Sequence, residues 1–204
     1  MATYKGIKGI KVQSLASDPT ASEASGQLWY NTTSNALKYS VAGAGAWASG
    51  GNLNTARYGN GGAGSQTANL TFGGQAPGGK TGESETYNGT AWTEVNDLNT
   101  ARRDIGGTGT TTAGLAAGGV GPGTELAVTE EYDGSCWTEV GDLNTARYGP
   151  GGSGGPGAQA AALCFGGLGP DGGYDALTES WNGSAWTEIA DMATARYYLA
   201  GSPT

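Results

Sequence analysis

Apolar residues along this chain come in short runs bounded by Gly, Asn and Asp, and no stretch carries the spacing of a helix with one buried stripe. From residue 53 onward one order recurs: LNTAR, a Gly-rich stretch, a brief apolar run closing on Gly-Gly, an aromatic residue, an Asn-Gly or Asp-Gly pair, and AWTE or CWTE. The segments Tyr87-Asn88-Gly89-Thr90-Ala91-Trp92, Tyr132-Asp133-Gly134-Ser135-Cys136-Trp137 and Trp181-Asn182-Gly183-Ser184-Ala185-Trp186 predict β-hairpins with two-residue turns. Asn-Gly and Asp-Gly supply the positive φ angles that a type I′ turn requires. That register sets Tyr87 opposite Thr90 and Glu85 opposite Trp92, so Tyr87 and Trp92 share one face while Thr86, Ala91 and Thr93 share the other. Each unit has room for two more strands, one after Arg57, Arg102 and Arg147 and one at NLTFGG, GLAAGG and LCFGG.

The cadence is shared by two unrelated residue types. Trp47, Trp92, Trp137 and Trp186 step by 45, 45 and 49, and so do Arg57, Arg102, Arg147 and Arg196. The last step is longer because three residues are added between Arg147 and Gly166 and one between Gly167 and Trp181, which marks both places as loops. A sheet with one bulky aromatic face and one small-residue face buries both by packing unit against unit. Four strands in 45 residues is the length of a propeller blade.

The pattern resembles the kelch repeat, in which Gly-Gly after a short strand, a downstream Tyr, a Trp and a closing Arg recur in each blade of a β-propeller. The matching residues are Gly73-Gly74, Tyr87, Trp92 and Arg102, then Gly118-Gly119, Tyr132, Trp137 and Arg147, then Gly166-Gly167, Trp181, Trp186 and Arg196. The resemblance covers about residues 48 to 200; Trp181 stands where the family carries Tyr, and kelch propellers usually have more than three units. It implies an all-β fold with blades at about 52–97, 98–142 and 143–193. Thr194–Ser202 aligns with the first strand of a further unit, while Gln27–Tyr30, Ala36–Tyr39 and Ala46-Trp47-Ala48 read as its remainder. The expected architecture is therefore a four-bladed, kelch-like propeller over 26–204, whose fourth blade combines 26–51 with 194–204. The alternative is a blade completed by a neighbouring chain, which builds a larger ring or a filament.

Composition narrows the function classes. The chain has 204 residues, 40 of them Gly, 25 Leu, Ile, Val or Phe, 16 Trp or Tyr, two Cys, no His, and a net charge of −8. The large aromatics supply enough apolar surface to fold despite the few aliphatics. An acidic balance argues against nucleic acid, which needs a basic patch to meet phosphates. No apolar run of membrane-spanning length occurs, and Lys5, Lys8 and Lys11 interrupt what a secretory signal would need, so neither membrane insertion nor secretion is expected. Cys136, at the Ala91 and Ala185 position, and Cys164, at the Thr71 position, read as small buried thiols, with a disulfide between neighbouring blades as the other option. Neither a metal site nor a cofactor is expected. The acceptor motifs at Asn31, Asn69, Asn88 and Asn182 read as turn and strand residues.

Residues 1–25 differ from the rest, with three Lys, one Asp and one Glu, and read as an attachment arm: a strand within Tyr4–Leu15 and a linker over Ala16–Gly26. The opening KGIKG followed by GQLWYNTTSNALKYS resembles the N-terminal regions of bacteriophage virion proteins, especially fibre and appendage proteins. That resemblance implies a non-enzymatic virion protein (a tail fibre, appendage or capsid decoration) that mediates host-surface attachment or particle assembly. Its implied partners are other virion proteins through the arm, further copies of itself, and a host-surface glycan or protein. A cellular kelch-type interaction module is the alternative, and a polysaccharide hydrolase is a third reading.

Candidate site residues follow from where the units disagree. The loops Gln75–Ser84, Val120–Val128 and Leu168–Ala176 vary most and are expected on one rim, with Lys80, Glu83, Glu125, Asp171, Tyr174 and Asp175 as binding candidates. Glu83 with Glu85, or Asp171 with Asp175, are the nominal acid pairs for catalysis, without a His base or nucleophile elbow beside them. The repeated Glu94, Glu139 and Glu188, with Asp97, Asp142 and Asp191, are expected to pair with Arg102, Arg147 and Arg196 or to bond loops. Arg103 and Asp104 break the repeat, standing where the other units have Tyr58-Gly59, Tyr148-Gly149 and Tyr197-Tyr198, and are expected to adjust one junction.

Overall fold

The computed structural model describes residues 13–17, 28–39, 49–155 and 157–201. Every element among them is β, and the chain divides into two compact units, 1–49 and 50–204. In the first unit β1 (Gln13–Leu15) runs parallel to β2 (Leu28–Asn31), which forms a hairpin with β3 (Ala36–Tyr39). The Asn31 side-chain carbonyl closes that hairpin by accepting the Thr33 and Ser34 amides at 3.0 and 2.9 Å. Both strands read in this segment are thus present. The strand at Ala46-Trp47-Ala48, most of the arm strand and most of its linker lie outside the described residues.

The second unit repeats one four-stranded antiparallel sheet three times. The first sheet pairs β4 (Gly61–Gly64), β5 (Asn69–Phe72), β8 (Ser84–Tyr87) and β9 (Trp92–Val95), with a small hairpin of β6 (Gln75–Ala76) and β7 (Gly79–Lys80) between its middle strands. The second holds β10 (Gly106–Thr110), β11 (Ala113–Ala117), β12 (Thr129–Tyr132) and β13 (Trp137–Glu139). The third holds β14 (Gly151–Ser153), β15 (Ala162–Phe165), β16 (Thr178–Trp181) and β17 (Trp186–Ile189). All twelve strands fall where the repeat placed them, and the three-residue insertion sits in the β14–β15 connection, where Ala158 is buried.

The hairpin register differs from the sequence expectation. Tyr87 faces Trp92, Tyr132 faces Trp137 and Trp181 faces Trp186, two residues along from the expected pairing. The turn is shifted because Asn88, Asp133 and Asn182 turn their side chains inward, each accepting the amides two and three residues ahead at 2.8–3.0 Å. A shift of two preserves the alternation of side chains, so the expected faces survive.

Those faces build two cores, each shared by neighbouring sheets. Leu70 and Phe72 of the first sheet pack with Ala116, Tyr132 and Trp137 of the second. Leu115 and Ala117 from the opposite face of β11 pack with Ala162, Cys164, Trp181 and Trp186 of the third. Trp137 and Trp186 also reach back to the preceding sheet, Trp137 Nε1 donating to Ser84 Oγ at 3.1 Å and Trp186 Nε1 to Thr129 Oγ1 at 3.0 Å. Burying these rings is worth several kcal/mol each, about 3–5 by truncation to Ala, and the polar tip is satisfied as well. Trp92 is half-buried, stacked on Tyr87 and donating to the Gly51 carbonyl.

Cys164 is buried and free, its thiol pushed up to about 12 by burial. Cys136 is exposed, against expectation, because the turn shift lifts its position out of the sheet.

Candidate functional site

The LNTAR motif is the device that joins one sheet to the next. Asn99 donates its backbone and side-chain N–H to Glu130 Oε2 at 2.7 and 2.9 Å, while Arg102 Nη2 reaches Glu130 Oε1 at 3.1 Å. Asn144 and Arg147 hold Glu179 in the same way, and Asn54 and Arg57 hold Glu85. These three arginine side chains and their glutamates are almost fully buried, so each carboxylate needs the full set of donors it receives. Burial lowers the Arg102 pKa, with Glu130 opposing the shift. The backbone carbonyl of Arg102 meanwhile accepts the Gly74 amide of the sheet before, and Arg147 and Arg196 do the same for Gly119 and Gly167. Gly73, Gly118 and Gly166 stand at φ 64–66° against those carbonyls, where a Cβ would come within 2.6–2.7 Å. This is why the Gly-Gly pair closes every second strand.

This corrects the expected pairing of the repeated acids. The partners of Arg57, Arg102 and Arg147 are Glu85, Glu130 and Glu179, whereas Glu94, Glu139 and Glu188 are exposed. Asp97 and Asp142 do serve as loop acceptors, taking the Ser84 and Thr129 amides at 3.3 Å. Glu85, Glu130 and Glu179 step by 45 and 49, but so do Glu94, Glu139 and Glu188, and the cadence alone does not tell the buried partners from the exposed acids. Arg196 is exposed, and its motif reads DMATAR, with Ala193 in place of the gripping Asn.

The loop candidates divide into engaged and open groups. Glu83 shares Arg57 with Glu85, Nη1–Oε2 at 2.9 Å, so this acid pair is neutralised by one guanidinium. Lys80, Glu125 and Tyr174 occupy equivalent positions, paired with Gln75, Val120 and Leu168. Lys80 Nζ donates to the Gly121 carbonyl of the next loop at 2.5 Å, and Glu125 accepts from Thr124 at 2.8 Å. Tyr174 is exposed and stacks on Tyr197, ring centres 4.9 Å apart. Asp171 accepts the Gly173 amide at 2.9 Å in an exposed turn. Asp175 carries a buried Oδ2 with no hydrogen-bond donor, and burial raises its pKa while Arg147 opposes the shift.

Beside these loops, four equivalent backbone turns lie side by side. Gly59, Asp104, Gly149 and Tyr198 follow the four arginine positions by two residues, and all four have left-handed backbone, φ 51–66°. They are linked in series: the Asp104 amide donates to Gly59, Gly149 to Asp104 and Tyr198 to Gly149, at 2.5–2.8 Å. Three residues further on, Gly62, Gly107, Gly152 and Gly201 bring the inner edges together so closely that a Cβ on Gly107 would stand 2.7 Å from the Gly62 backbone.

The turns frame a cleft of about 230 Å³ lined by Gly59, Asn60, Asp104, Ile105, Gly149, Pro150, Tyr198 and Leu199. Beside it Arg103 Nη1 lies 2.6 Å from Asp104 Oδ2, and the Tyr198 phenol faces the same carboxylate. Burial raises the Asp104 pKa, with Arg103 and Tyr198 opposing the shift. The Tyr198 pKa is raised as well, first by burial and then by the Asp104 charge. A left-handed backbone costs a side-chain-bearing residue about 1–2 kcal/mol, least for Asp. Arg103 and Asp104 thus do more than adjust one junction: Asp104 brings a carboxylate to the cleft wall and Arg103 balances its charge. Tyr198 went unread because its exceptional feature is a backbone angle.

Among the described residues no helix is long and apolar enough to cross a membrane, and no three His, Cys, Asp or Glu side chains cluster as metal ligands. No protein-family model matches the chain, and no curated protein matches it.

Proposed function

We propose that the repeated sheets are blades of a kelch-like, four-bladed β-propeller, and that the chain is a non-enzymatic attachment component of a bacteriophage particle. The propeller reading is supported by the series of four equivalent turns and by three sheets that each bury their aromatic face against the sheet before or the segment preceding it. In this reading residues 197–201 begin the fourth blade, since they supply the fourth turn and the fourth inner-edge glycine. The attachment role rests on one observation: positions 80, 125 and 174 are structurally equivalent yet carry Lys, Glu and Tyr, beside the exposed rings of Tyr58 and Tyr198. A rim whose scaffold repeats while its chemistry varies is suited to recognising an irregular surface. The N-terminal segment anchors the protein to other virion proteins, and oligomerisation makes weak rim contacts simultaneous.

Light scattering and negative-stain microscopy of the full chain test the particle role, with a defined oligomer or fibre expected. A monomer at micromolar concentration overturns it in favour of a free interaction module. Fluorescent protein is then applied to a panel of intact bacteria. Binding to a subset, weakened by exchanging Lys80, Glu125 and Tyr174 together for Ser, is expected; no binding to any strain refutes attachment.

A further inference from the structure

Two residues in the series of turns occupy positions where this chain has a better backbone solution at hand. Gly59 and Gly149 take the left-handed angle freely, while Asp104 and Tyr198 take it at φ 55° and 51° with side chains attached. Both side chains line the same cleft and meet at its wall. Strain retained at two neighbouring points that meet over a cleft is the mark of a ligand clamp.

The groups present define what the clamp would hold. Asp104 is 6% exposed and fixed by Arg103, so its charge is already balanced and the cleft does not call for a cation. Tyr198, 59% exposed, offers a ring face and a phenol, and Asp104 offers carboxylate oxygens held in place by the Arg103 guanidinium. Asn60 adds an amide, although its Nδ2 is held by Thr71. Tyr197 packs at 4.6 Å from Tyr198 and extends the aromatic surface to Tyr174. A flat aromatic face beside a fixed acceptor matches a pyranose ring, which presents C–H bonds on its face and hydroxyls around its edge. The cleft of about 230 Å³ lies below the roughly 300–1,000 Å³ of sites for larger ligands, which limits it to one or two sugar residues. The net charge of −8 disfavours an anionic glycan.

We infer that the cleft framed by Gly59, Asp104, Gly149 and Tyr198 is a saccharide-binding site for a neutral hexose unit, with Tyr198 stacking on the sugar face, Asp104 accepting from its hydroxyls and Arg103 holding that carboxylate in place. The inference rests on the attachment reading only for the source of the sugar, a host-surface polysaccharide; the cleft itself does not depend on it.

The full chain is screened on an array of neutral and anionic oligosaccharides and titrated by calorimetry with the neutral oligosaccharide that gives the strongest signal. Asp104→Gly and Tyr198→Gly install the residue that the equivalent turns already carry, so both fold, with melting midpoints at or above that of the parent. Each is expected to weaken binding at least tenfold, and Asp104→Asn, which keeps the shape, to weaken it less. The inference is overturned if no neutral saccharide binds, if binding is unchanged in both glycine variants, or if their midpoints fall in step with the lost affinity. The bacterial panel separates the two readings. Cell binding that survives the double glycine variant refutes the cleft and leaves attachment standing, whereas sugar binding without cell binding refutes attachment alone.

Discussion

The sheet junctions and the series of left-handed turns are built from the same repeat, yet they respond to it in opposite ways. At three junctions Asn54, Asn99 and Asn144, Arg57, Arg102 and Arg147, and Glu85, Glu130 and Glu179 recur together, because a buried carboxylate tolerates no missing donor. In the left-handed turns only the backbone angle recurs, and the side chain changes from Gly to Asp to Gly to Tyr. The angle is what holds neighbouring turns together, so the side chain is free to serve another purpose. Repetition marks the parts the fold needs, and divergence on a repeated backbone marks where recognition can be placed.

The contrast is most sharply broken at a junction. Arg102→Ala leaves Glu130 buried with its charge uncompensated and is expected to cost about 3–5 kcal/mol in urea-induced unfolding. Gly107→Ala drives a methyl into the Gly62 backbone and is expected to cost about 2 kcal/mol by the same measurement, because neither strand can yield without losing its own sheet. Thr129→Ala removes the acceptor of the buried Trp186 N–H and is expected to cost about 1 kcal/mol. In the left-handed turns the sign reverses: Tyr198→Gly is expected to gain about 0.5 kcal/mol, since relief of the left-handed backbone exceeds the extra chain entropy of Gly.

The smallest effect concerns Asp175. Its folded pKa is raised by burial, so the folded state binds the proton more tightly than the unfolded chain does. Its contribution is therefore least unfavourable below the unfolded value near 3.8 and worsens as pH rises through the folded value. Asp175→Asn is expected to raise the melting midpoint at neutral pH, with the gain shrinking to nothing as pH falls below 3.8. A gain independent of pH would show that the buried Oδ2 carries no penalty as a charge.

Much of this architecture could be read from the chain. The cadence of Trp and Arg located all twelve strands of the second unit, and the Asn-Gly and Asp-Gly pairs located its hairpins. The exact register escaped because the Asx side chains select which pair of residues turns, a local competition that the dipeptide alone does not reveal. The acids nearest the arginines in sequence, Glu94 and Asp97 before Arg102, were the wrong partners, since the guanidinium reaches forward 28 residues to Glu130. Cys136 was read as buried for the same reason that the register was missed: a turn shifted by one residue moves a small side chain from sheet to solvent.

What the sequence determined by itself was the periodic part: which segments are strands, which face of each is aromatic, and where the chain must bend through Gly-Gly. Those are set by spacing and by backbone angles that few residues adopt. What only the tertiary structure decided was which distant groups meet: Arg102 with Glu130, Trp186 with Thr129, and Asp104 with Tyr198 at the cleft. Such meetings depend on how one sheet stacks upon another, and no local spacing encodes that distance.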